Sequence, residues 1–454
     1  FGWLLSVLML LPMALGLLCV AWGIWRNITG RLRYAIFLSH HKGGAGVLAR
    51  LVKFELAKVG VFNTFLDVDS LESLDTLFHI VRRQTQNMVV LLSSETLKRM
   101  WCAGEIVTAH RNNVHTVPVL CDGFEYPDET ALNDIAQIWT AVELQALAAL
   151  GISWNMTKEA YSWLQELPCV ELRRFGSEGE RSRTVQSILK LCSQIKAGPQ
   201  PKPPAVSRPD ILITGAVSDP EALAACQVIR IMLQQAMRVE AAVVRTSQEL
   251  QQSLASACFI VVLLTRGVLL DESFAEIMVA SIAHKSGENS TPVNVNATMT
   301  MRTVSSGKPL NFVMVSADPL FEFPTTEFYD SLRHKGLGGS DNENLIFVYR
   351  SIMRNLALPF SPMGSVNVLQ NEVSEICRRR LGLLEEACGR VGSKDSPSTF
   401  FRNKHGALWQ DKEEDKHAAA VDDDMPMFQL DEAMIPALRV PPVTHKTMPQ
   451  LTRL

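Results

Sequence analysis

The sequence predicts a doubly wound α/β fold with parallel sheets, present in two copies and preceded by a transmembrane helix. Short apolar runs alternate with longer amphipathic stretches, which is typical of strands and helices in a parallel sheet. The order of these runs repeats in the second half of the chain, and the first 25 residues carry no charge. A chain of 454 residues is also longer than one ordinary domain, which leaves room for two folded units.

The opening segment, residues 1–25, predicts the membrane helix. Its sequence FGWLLSVLMLLPMALGLLCVAWGIW contains no Asp, Glu, Lys or Arg, and about 20 apolar residues suffice to span a bilayer. Trp3, Trp22 and Trp25 lie near its two ends, where indole rings favour the membrane interface. The alternative is a secretory signal peptide, but the apolar run is long for one and no basic segment precedes it.

The residues after this segment predict its orientation. Arg26, Arg31 and Arg33 follow directly, and the positive-inside rule then places the rest of the chain in the cytosol. Nine scattered cysteines without a CxxC pair fit reduced thiols on that side. We therefore expect a membrane protein with both α/β domains cytosolic. The formal net charge of −3 gives no basic footprint, so no nucleic-acid partner is expected.

The first α/β domain is predicted over residues 32–196. Strands are expected at 34–39, 62–68, 88–93 and 116–120, and helices at 47–59, 74–84, 105–111 and 183–195. The continuous apolar run at 88–92 suits a strand that is covered on both faces. Five prolines within residues 197–209 then predict a stiff, extended linker.

The second domain, residues 210–390, repeats the plan of the first in the same order. Strands are expected at 210–214 and 259–265, and helices at 222–235 and 274–283. Residues 312–323 repeat the fourth strand of the first domain and the loop that follows it. An internal duplication is the preferred explanation, and two unrelated α/β domains are the alternative. An insertion at 286–307, rich in Ser, Thr and Asn, predicts a mobile loop. The tail, residues 391–454, is predicted to be disordered, with seven acidic residues and two lysines in 411–424.

The carboxyl ends of the predicted strands are the expected place for a ligand. In an open parallel sheet the binding crevice lies outside these ends. The loops that follow the four strands of the first domain should therefore converge on one pocket. They cover residues 39–46, 67–74, 93–105 and 121–126.

The first of these loops, SHHKGGAG, combines His40, His41 and Lys42 with three glycines. Histidine and lysine can contact phosphate oxygens, and glycines allow a close approach of the backbone. The loop matches neither common phosphate-binding pattern, so an ordinary surface loop is the alternative. Adjacent histidines need not converge on one ion, and no third ligand is indicated nearby. No metal site is predicted.

The third loop runs into the segment MWCAGEIVTA, in which Trp101 and Glu105 stand four residues apart. On a helix this spacing places an indole and a carboxylate on one face. A carboxylate that merely favours the start of a helix is the alternative interpretation. No Ser/His/Asp order or second paired carboxylate is evident, so common hydrolase arrangements receive little support.

Six motifs in a fixed order resemble the Toll/interleukin-1 receptor (TIR) domain family over residues 32–196. They read YAIFLSHHKGG, FLDVDSLE, VVLLSSETL, WCAGEIVTA, VPVLCDGFEYP and GISW, and they look most similar to the NAD-hydrolysing branch linked to axon degeneration. The resemblance implies a flavodoxin-like, five-stranded parallel sheet. With the internal repeat, it implies a tandem arrangement whose second copy is a divergent TIR-like domain.

The resemblance implies two activities, self-associating signalling and cleavage of NAD to nicotinamide and ADP-ribose. NAD is then the substrate, and no cofactor is expected. Glu105 corresponds to the catalytic glutamate of the family. Trp101 would form a wall of the pocket, and His40, His41, Lys42 and Asp67 would lie nearby and bind the substrate. The expected partners are NAD, the membrane and other TIR domains, including further copies of this chain.

Departures from the family pattern leave alternatives open. Leu74 stands where a glycine is common, and the second domain offers Glu276 as its candidate glutamate, with Glu272 where an aromatic residue would align. We interpret the second domain as a regulatory or self-associating module. For the first domain, a non-enzymatic TIR adaptor is the main alternative to the enzyme, and a module that binds NAD without cleaving it is the third.

Overall fold

The fold is described by a computed structural model in which residues 19, 32–70, 76–195, 198, 208–283, 301–302, 309–337 and 342–381 are placed. Apart from Cys19, the predicted membrane helix lies outside these residues, as does the predicted tail. Among the residues described, no helix has the length and apolar character needed to cross a membrane. We refer below to residues 32–195 as the N-terminal half and to residues 208–381 as the C-terminal half.

The N-terminal half contains a five-stranded parallel sheet with the strand order β2-β1-β3-β4-β5. Its strands are β1 (Tyr34–Ser39), β2 (Thr64–Phe65), β3 (Thr85–Leu92), β4 (His115–Cys121) and β5 (Val170–Leu172). Residues 87–92 of the central strand β3 are all buried, because helices cover both faces of the sheet. The predicted α/β architecture with a parallel sheet is thus confirmed.

Eight helices accompany this sheet in the described part of the half. They are α1 (Lys42–Lys58), α2 (Asp67–Ser70), α3 (Leu77–His79), α4 (Met100–Arg111), α5 (Glu129–Ile138), α6 (Ala141–Ala149), α7 (Trp154–Glu166) and α8 (Glu178–Leu191). One face of the sheet packs against α1 and α8, and the other packs mainly against α4 and α7.

Three boundaries differ from the sequence prediction. Strand β2 has only two residues, because Asp67 begins α2 instead of continuing the strand expected at 62–68. Helix α4 begins at Met100, one and a half turns before the expected start at Glu105. The helix expected at 74–84 is represented by α3 and a π-helical turn, Ile80–Gln84.

The C-terminal half contains a second parallel sheet with the order β11-β10-β8-β6-β7. Its strands are β6 (Ile211–Thr214), β7 (Ala241–Val243), β8 (Phe259–Leu264), β10 (Pro309–Ser316) and β11 (Leu358–Pro359), and β9 (Met301–Arg302) pairs antiparallel with β10. The path of the chain through the five parallel strands is the same as in the first sheet. The duplication hypothesis predicts this shared order, and the duplication itself stays a prediction. Most of the insertion at 286–307 lies outside the described residues.

The helices of this half follow the same α/β alternation. They are α9 (Pro220–Met237), α10 (Ser247–Leu254), α11 (Glu272–Ala283), α12 (Thr326–Lys335), α13 (Asn342–Ile352) and α14 (Val366–Ile376), which continues into a π-helical turn, Cys377–Leu381. Asp219 caps α9 by accepting a hydrogen bond from the Ala222 N–H, and Pro220 occupies the first turn, where proline is well tolerated.

The two halves meet where α1 packs against α9. Val47, Leu51 and Phe54 point away from the first sheet and join a hydrophobic cluster with residues of α9, α14 and the second sheet. Every residue of α1 from Ala45 to Ala57 is buried, because the helix is covered on both sides. We call this contact region the seam. Because α1 contributes to the hydrophobic core of both halves, we expect the halves to unfold together.

Leu369 on α14 offers a test, since its side chain is fully buried in the shared cluster. Leu369→Ala should lower the free energy of unfolding by about 2–5 kcal/mol. Hydrogen exchange of peptides from β8 and from β3 should accelerate together, because both report the same global opening. Val368→Ala changes the neighbouring, exposed residue and should leave both rates close to wild type. Acceleration in β8 alone would contradict a single cooperative unit.

Candidate functional site

The candidate site lies at the carboxyl edge of the first sheet, beyond β1, β2 and β3. A cavity of about 20 Å³ opens there among residues that come from three of the predicted loops. Five of the six predicted site residues line it, together with residues that the motifs did not single out. The lining consists of Phe37, Leu38, His40, Lys42, Asp67, Leu77, Arg99, Trp101, Cys102 and Glu105. The fourth predicted loop, residues 121–126, does not contribute to this lining.

Helix α4 places Trp101 and Glu105 on the same face, as the spacing predicted. Glu105 is the sixth residue of the helix, so it lies beyond the first turn, where carboxylates favour the helix dipole. Gly104 allows Phe78 to approach the helix, because a Cβ atom there would lie 2.3 Å from the Phe78 ring. Phe78 in turn contacts Trp101, with ring centroids 6.0 Å apart. The indole is thus held beside the carboxyl group.

The buried carboxyl group of Glu105 is bound by Ser39 at the end of β1. The Ser39 hydroxyl donates a hydrogen bond of 2.5 Å to Glu105 Oε2. Burial raises the pKa of Glu105 to about 8. The hydrogen bond from Ser39 lowers this pKa, and the charge of Asp67 raises it, but both effects are smaller than that of burial. Glu105 therefore changes its protonation state near neutral pH, as suits a group that does acid–base or electrostatic work.

His40 presents an unpaired nitrogen to the same cavity. Its Nδ1 lies 3.1 Å from the Leu38 carbonyl oxygen, and a carbonyl can only accept, so Nδ1 carries the proton. Burial lowers the pKa of His40, although Asp67 opposes this effect. The ring is then neutral, and Nε2 is a buried acceptor without a hydrogen-bond partner. It lies 3.9 Å from Asp67 Oδ1, which is also an acceptor.

Two cations stand at this site. Lys42 Nζ lies 3.0 Å from Asp67 Oδ2, and the lysine side chain is 44% exposed. Arg99 directly precedes α4 and is half-buried at the cavity. Neither Arg99 nor Ser39 was among the predicted site residues. Ser39 is the last residue of the predicted first strand, and Arg99 lies in the predicted third loop. These positions at the carboxyl edge of the sheet could have identified both as site residues.

His41 has a different place from its neighbour. Its Nδ1 accepts a hydrogen bond of 3.0 Å from the Gly44 N–H and thereby caps the start of α1. It is absent from the cavity lining. The structure therefore brings His40, Lys42, Asp67, Trp101 and Glu105 together and leaves His41 outside this group. The substrate-binding role expected of His41 stays a prediction without support from this geometry.

The arrangement has the properties of a site for a cationic ring attached to an anionic tail. A carboxyl group of near-neutral pKa and an aromatic wall suit the ring, and two cations suit phosphate groups. A group of three potential metal ligands does not occur among the described residues. Cys102 is not poised as a nucleophile, because burial raises its pKa well above the usual value.

The corresponding position in the C-terminal half lacks the polar pair. Helix α11 follows β8 as α4 follows β3, and the sixth residue of α11 is Ile277, which is fully buried. Thr214 of β6 pairs with the third residue from the end of β8, as Ser39 pairs with the third residue from the end of β3. The Thr214 hydroxyl is buried and has no hydrogen-bond partner. Ile277, not a glutamate, therefore faces the position of the serine.

Glu276, the candidate glutamate expected in the second domain, is exposed on the outer side of α11. That expectation was wrong, because the register of α11 places Glu276 one residue away from the inward position. Asp271, which directly precedes α11 as Arg99 precedes α4, is buried and accepts hydrogen bonds from both the backbone N–H and the hydroxyl of Ser218. Asp271 also accepts from the Phe274 N–H at the start of the helix.

No family model matches the chain. Over 103 residues it is 30% identical to the NAD(+) hydrolase sarm1 of Drosophila melanogaster, a match that covers 20% of this chain and 8% of that protein. A second match is to the TIR domains in a solved structure of the activated Roq1 resistosome recognising the pathogen effector XopQ. The sequence identity is 21% and the TM-score is 0.26, and the match covers 35% of this chain and 98% of that chain. The match to the hydrolase confirms the resemblance to the TIR family that the motifs indicated. The tandem arrangement stays a prediction.

The raised pKa of Glu105 predicts how stability depends on pH. The native state keeps a proton that the unfolded chain releases between pH 4.5 and about 8, so stability falls as pH rises through this window. The free energy of unfolding of wild type, relative to Glu105→Gln, should fall by about 1.4 kcal/mol per pH unit there and level off above it. Urea unfolding at several pH values measures this difference. An equal pH dependence in both proteins would contradict burial of an ionisable carboxyl group.

Proposed function

We propose that the N-terminal half cleaves NAD to nicotinamide and ADP-ribose, in linear or cyclic form. The observation that carries this proposal is the buried Ser39–Glu105 pair at a cavity walled by Trp101. A TIR domain that acts only as a scaffold has no need of a buried carboxyl group whose pKa lies near neutrality. The sequence match to an NAD(+) hydrolase supports the same activity.

The reaction requires one carboxylate close to the ribose of NAD. When the bond between ribose and nicotinamide breaks, its electron pair moves to the ring nitrogen, and positive charge develops on the ribose. Ionised Glu105 would stabilise this charge and hydrogen-bond to the ribose hydroxyls, and the low dielectric of its buried position would strengthen the interaction. Water then adds to the ribose carbon, and its proton passes to the solvent.

Other groups of the site would orient the substrate. The Nε2 atom of His40 would accept a hydrogen bond from a hydroxyl or carboxamide group that enters the cavity. Lys42 and Arg99 would bind the diphosphate, and Trp101 would contact the nicotinamide ring. Each of these four side chains would thus contact a different part of NAD, and Asp67 is the charged residue of the lining that receives no such role.

One observation favours a second function, TIR signalling without catalysis. A cavity of about 20 Å³ holds one water molecule. Pockets that bind small-molecule ligands usually have about 300 Å³ or more, so NAD does not fit this cavity as it stands. A chain that self-associates or recruits other TIR domains would need no larger opening. For the enzyme, the same observation means that the site must open before NAD binds. We propose that homo-oligomerisation accompanies either function.

Membrane attachment remains part of the proposal. It depends on residues 1–25, whose apolar composition suits a bilayer helix and which, apart from Cys19, lie outside the described residues. A membrane anchor would concentrate both halves in two dimensions on the cytosolic side. This concentration would favour contacts between TIR domains of neighbouring chains.

The test of catalysis uses the full chain, because α1 of the N-terminal half is covered by the C-terminal half. The protein is reconstituted at high density on vesicles and incubated with NAD, and nicotinamide release is followed by chromatography. Glu105→Gln should reduce the rate by about a hundredfold or more, since it removes the charge that stabilises the transition state. Glu125→Gln changes an exposed carboxylate and should release nicotinamide at the wild-type rate.

Two results would contradict the proposal, the first by refuting catalysis and the second by refuting the role of Glu105. The first is no nicotinamide release from dense wild-type protein that still self-associates, which would select the scaffold. The second is equal release from wild type and Glu105→Gln, which would place the catalytic group elsewhere. Binding of NAD without turnover would instead select the NAD-sensing module.

The pH profile provides a separate prediction. Because the pKa of Glu105 is about 8, only a minor fraction of the free enzyme is ionised at pH 7. The value of kcat/KM for NAD should therefore rise with pH and reach a plateau above about pH 8. Ser39→Ala removes a hydrogen bond that lowers the pKa of Glu105, so its midpoint should move to higher pH. A profile that is flat from about pH 6 to 9 would contradict a role for ionised Glu105.

A further inference from the structure

A four-residue helix connects the candidate site to the seam between the two halves. Helix α2 follows β2 and carries Asp67 and Asp69. Asp67 lines the cavity and forms an ion pair with Lys42. Asp69 belongs to the seam, and its side chain is 2% exposed. A shift of the α2 backbone would therefore move both aspartates.

The C-terminal half holds Asp69 directly through one hydrogen bond and indirectly through Arg50 of α1. The Val366 N–H, at the start of α14, donates a hydrogen bond of 3.1 Å to Asp69 Oδ1. Arg50 and Lys53 of α1 bind the other carboxylate oxygen at 2.5 and 2.9 Å. Burial opposes the charge of Asp69, but Lys53 and Arg50 outweigh it and lower the pKa. The same Arg50, fully buried, donates to the Gly364 carbonyl at 2.6 Å.

The second turn of α1 is held by the C-terminal half as well. The helix is kinked at Ala45, whose φ of −153° is not helical, and the Val47 N–H binds Glu221 Oε2 of α9 at 2.8 Å. Met363 packs against Gly46, where a Cβ atom would lie 2.6 Å from its terminal methyl group. Lys42 begins the helix, one turn before these contacts. The helices that carry Lys42 and Asp67, α1 and α2, are therefore both in contact with the C-terminal half.

These contacts bear on the small size of the cavity. Asp67 lines the cavity between Lys42 and His40, at 3.0 and 3.9 Å, and the space left accommodates one water molecule. A nucleotide needs more room than this, and because Asp67 begins α2, a shift of α2 would move it away from Lys42 and His40. We propose that the C-terminal half positions Asp67 through Asp69 and thereby holds the candidate site closed. Only the activity measurement below rests on the proposed function.

A matched pair of variants isolates one bond of this linkage. Val366→Pro removes the N–H that binds Asp69, and proline is well tolerated at the first position of a helix. Ser365, with φ −62° and ψ 159°, already has the conformation that a residue before proline prefers. Val366→Ala removes the same side chain and keeps the N–H. Any difference between the two variants therefore reports the hydrogen bond or the rigidity of the proline.

Cys102 reports opening of the site independently of catalysis. Its thiol is 1% exposed, lines the cavity and donates a hydrogen bond to the His40 carbonyl. Cys226 in the core of the C-terminal half is fully buried and serves as an internal reference for general unfolding. In the full chain, alkylation of Cys102 by iodoacetamide, followed by mass spectrometry, should be about tenfold faster in Val366→Pro, the factor implied by loss of one hydrogen bond to a charged group. Cys226 should react at the wild-type rate, and Val366→Ala should resemble wild type at both cysteines.

Nicotinamide release should rise in Val366→Pro together with the labelling of Cys102. Unchanged labelling of Cys102 would overturn the proposal, as would equal acceleration at Cys102 and Cys226 or in both Val366 variants. Faster labelling with slower nicotinamide release would also overturn it, because the seam would then assemble the site and not close it. Faster labelling without nicotinamide release from any variant, wild type included, would support the linkage and refute the proposed enzyme. Should Val366→Pro fail to fold, Met363→Ala releases the contact with Gly46 and should accelerate Cys102 labelling in the same way.

Discussion

Burial of helix α1 on both sides is the constraint on which the rest of the structure depends. One face of the helix packs on the first sheet and the other on α9. Two cations of α1, Arg50 and Lys53, are buried by this arrangement, and buried cations must find anionic or hydrogen-bonding partners. Asp69 forms ion pairs with both through one carboxylate oxygen, and its other oxygen accepts a hydrogen bond from α14. The polar requirements of one helix therefore determine where the C-terminal half sits and how α2 is held beside the candidate site.

Much of this fold was predictable, because strong local patterns coincide with the final burial. The central strand β3 and its counterpart β8 are continuous apolar runs, and both halves alternate strands with helices. Strand β5 was missed because three residues are too few to show the alternation of apolar and polar side chains that marks a strand. Helix α6 was missed because its apolar residues do not form one stripe, although only Leu147 is buried, so no amphipathic pattern marks it. The predicted extension of β2 failed at Asp67, where side-chain contacts favour a helical turn over a strand.

The candidate site was predictable at the level of loops but not of atoms. Parallel strands bring their carboxyl ends to one edge, and this rule alone placed His40, Asp67 and Glu105 near one another. The rule does not say which side chain turns inward. His41 caps α1 because its ring reaches the free N–H of Gly44, and its neighbour turns toward the cavity instead. The pairing of Ser39 with Glu105 depends on the register of β1 against β3 and on the rotation of α4, which no single segment specifies.

The two halves offer an internal comparison that bears on why Glu105 is present. At equivalent positions on equivalent helices, one half buries a glutamate that is bound by a serine, and the other buries an isoleucine, Ile277, while the Thr214 hydroxyl has no hydrogen-bond partner. The isoleucine adds apolar packing and leaves one hydroxyl unpaired, whereas the glutamate resists ionisation, as its pKa of about 8 indicates. The strand order of the sheet is the same in both cases, so the fold does not require a carboxyl group at this place. A residue that the fold does not need, and whose charge weakens the native state, is best explained by chemistry that it performs. The C-terminal half, which lacks the group, then contributes through the contacts it makes with α1 and α2.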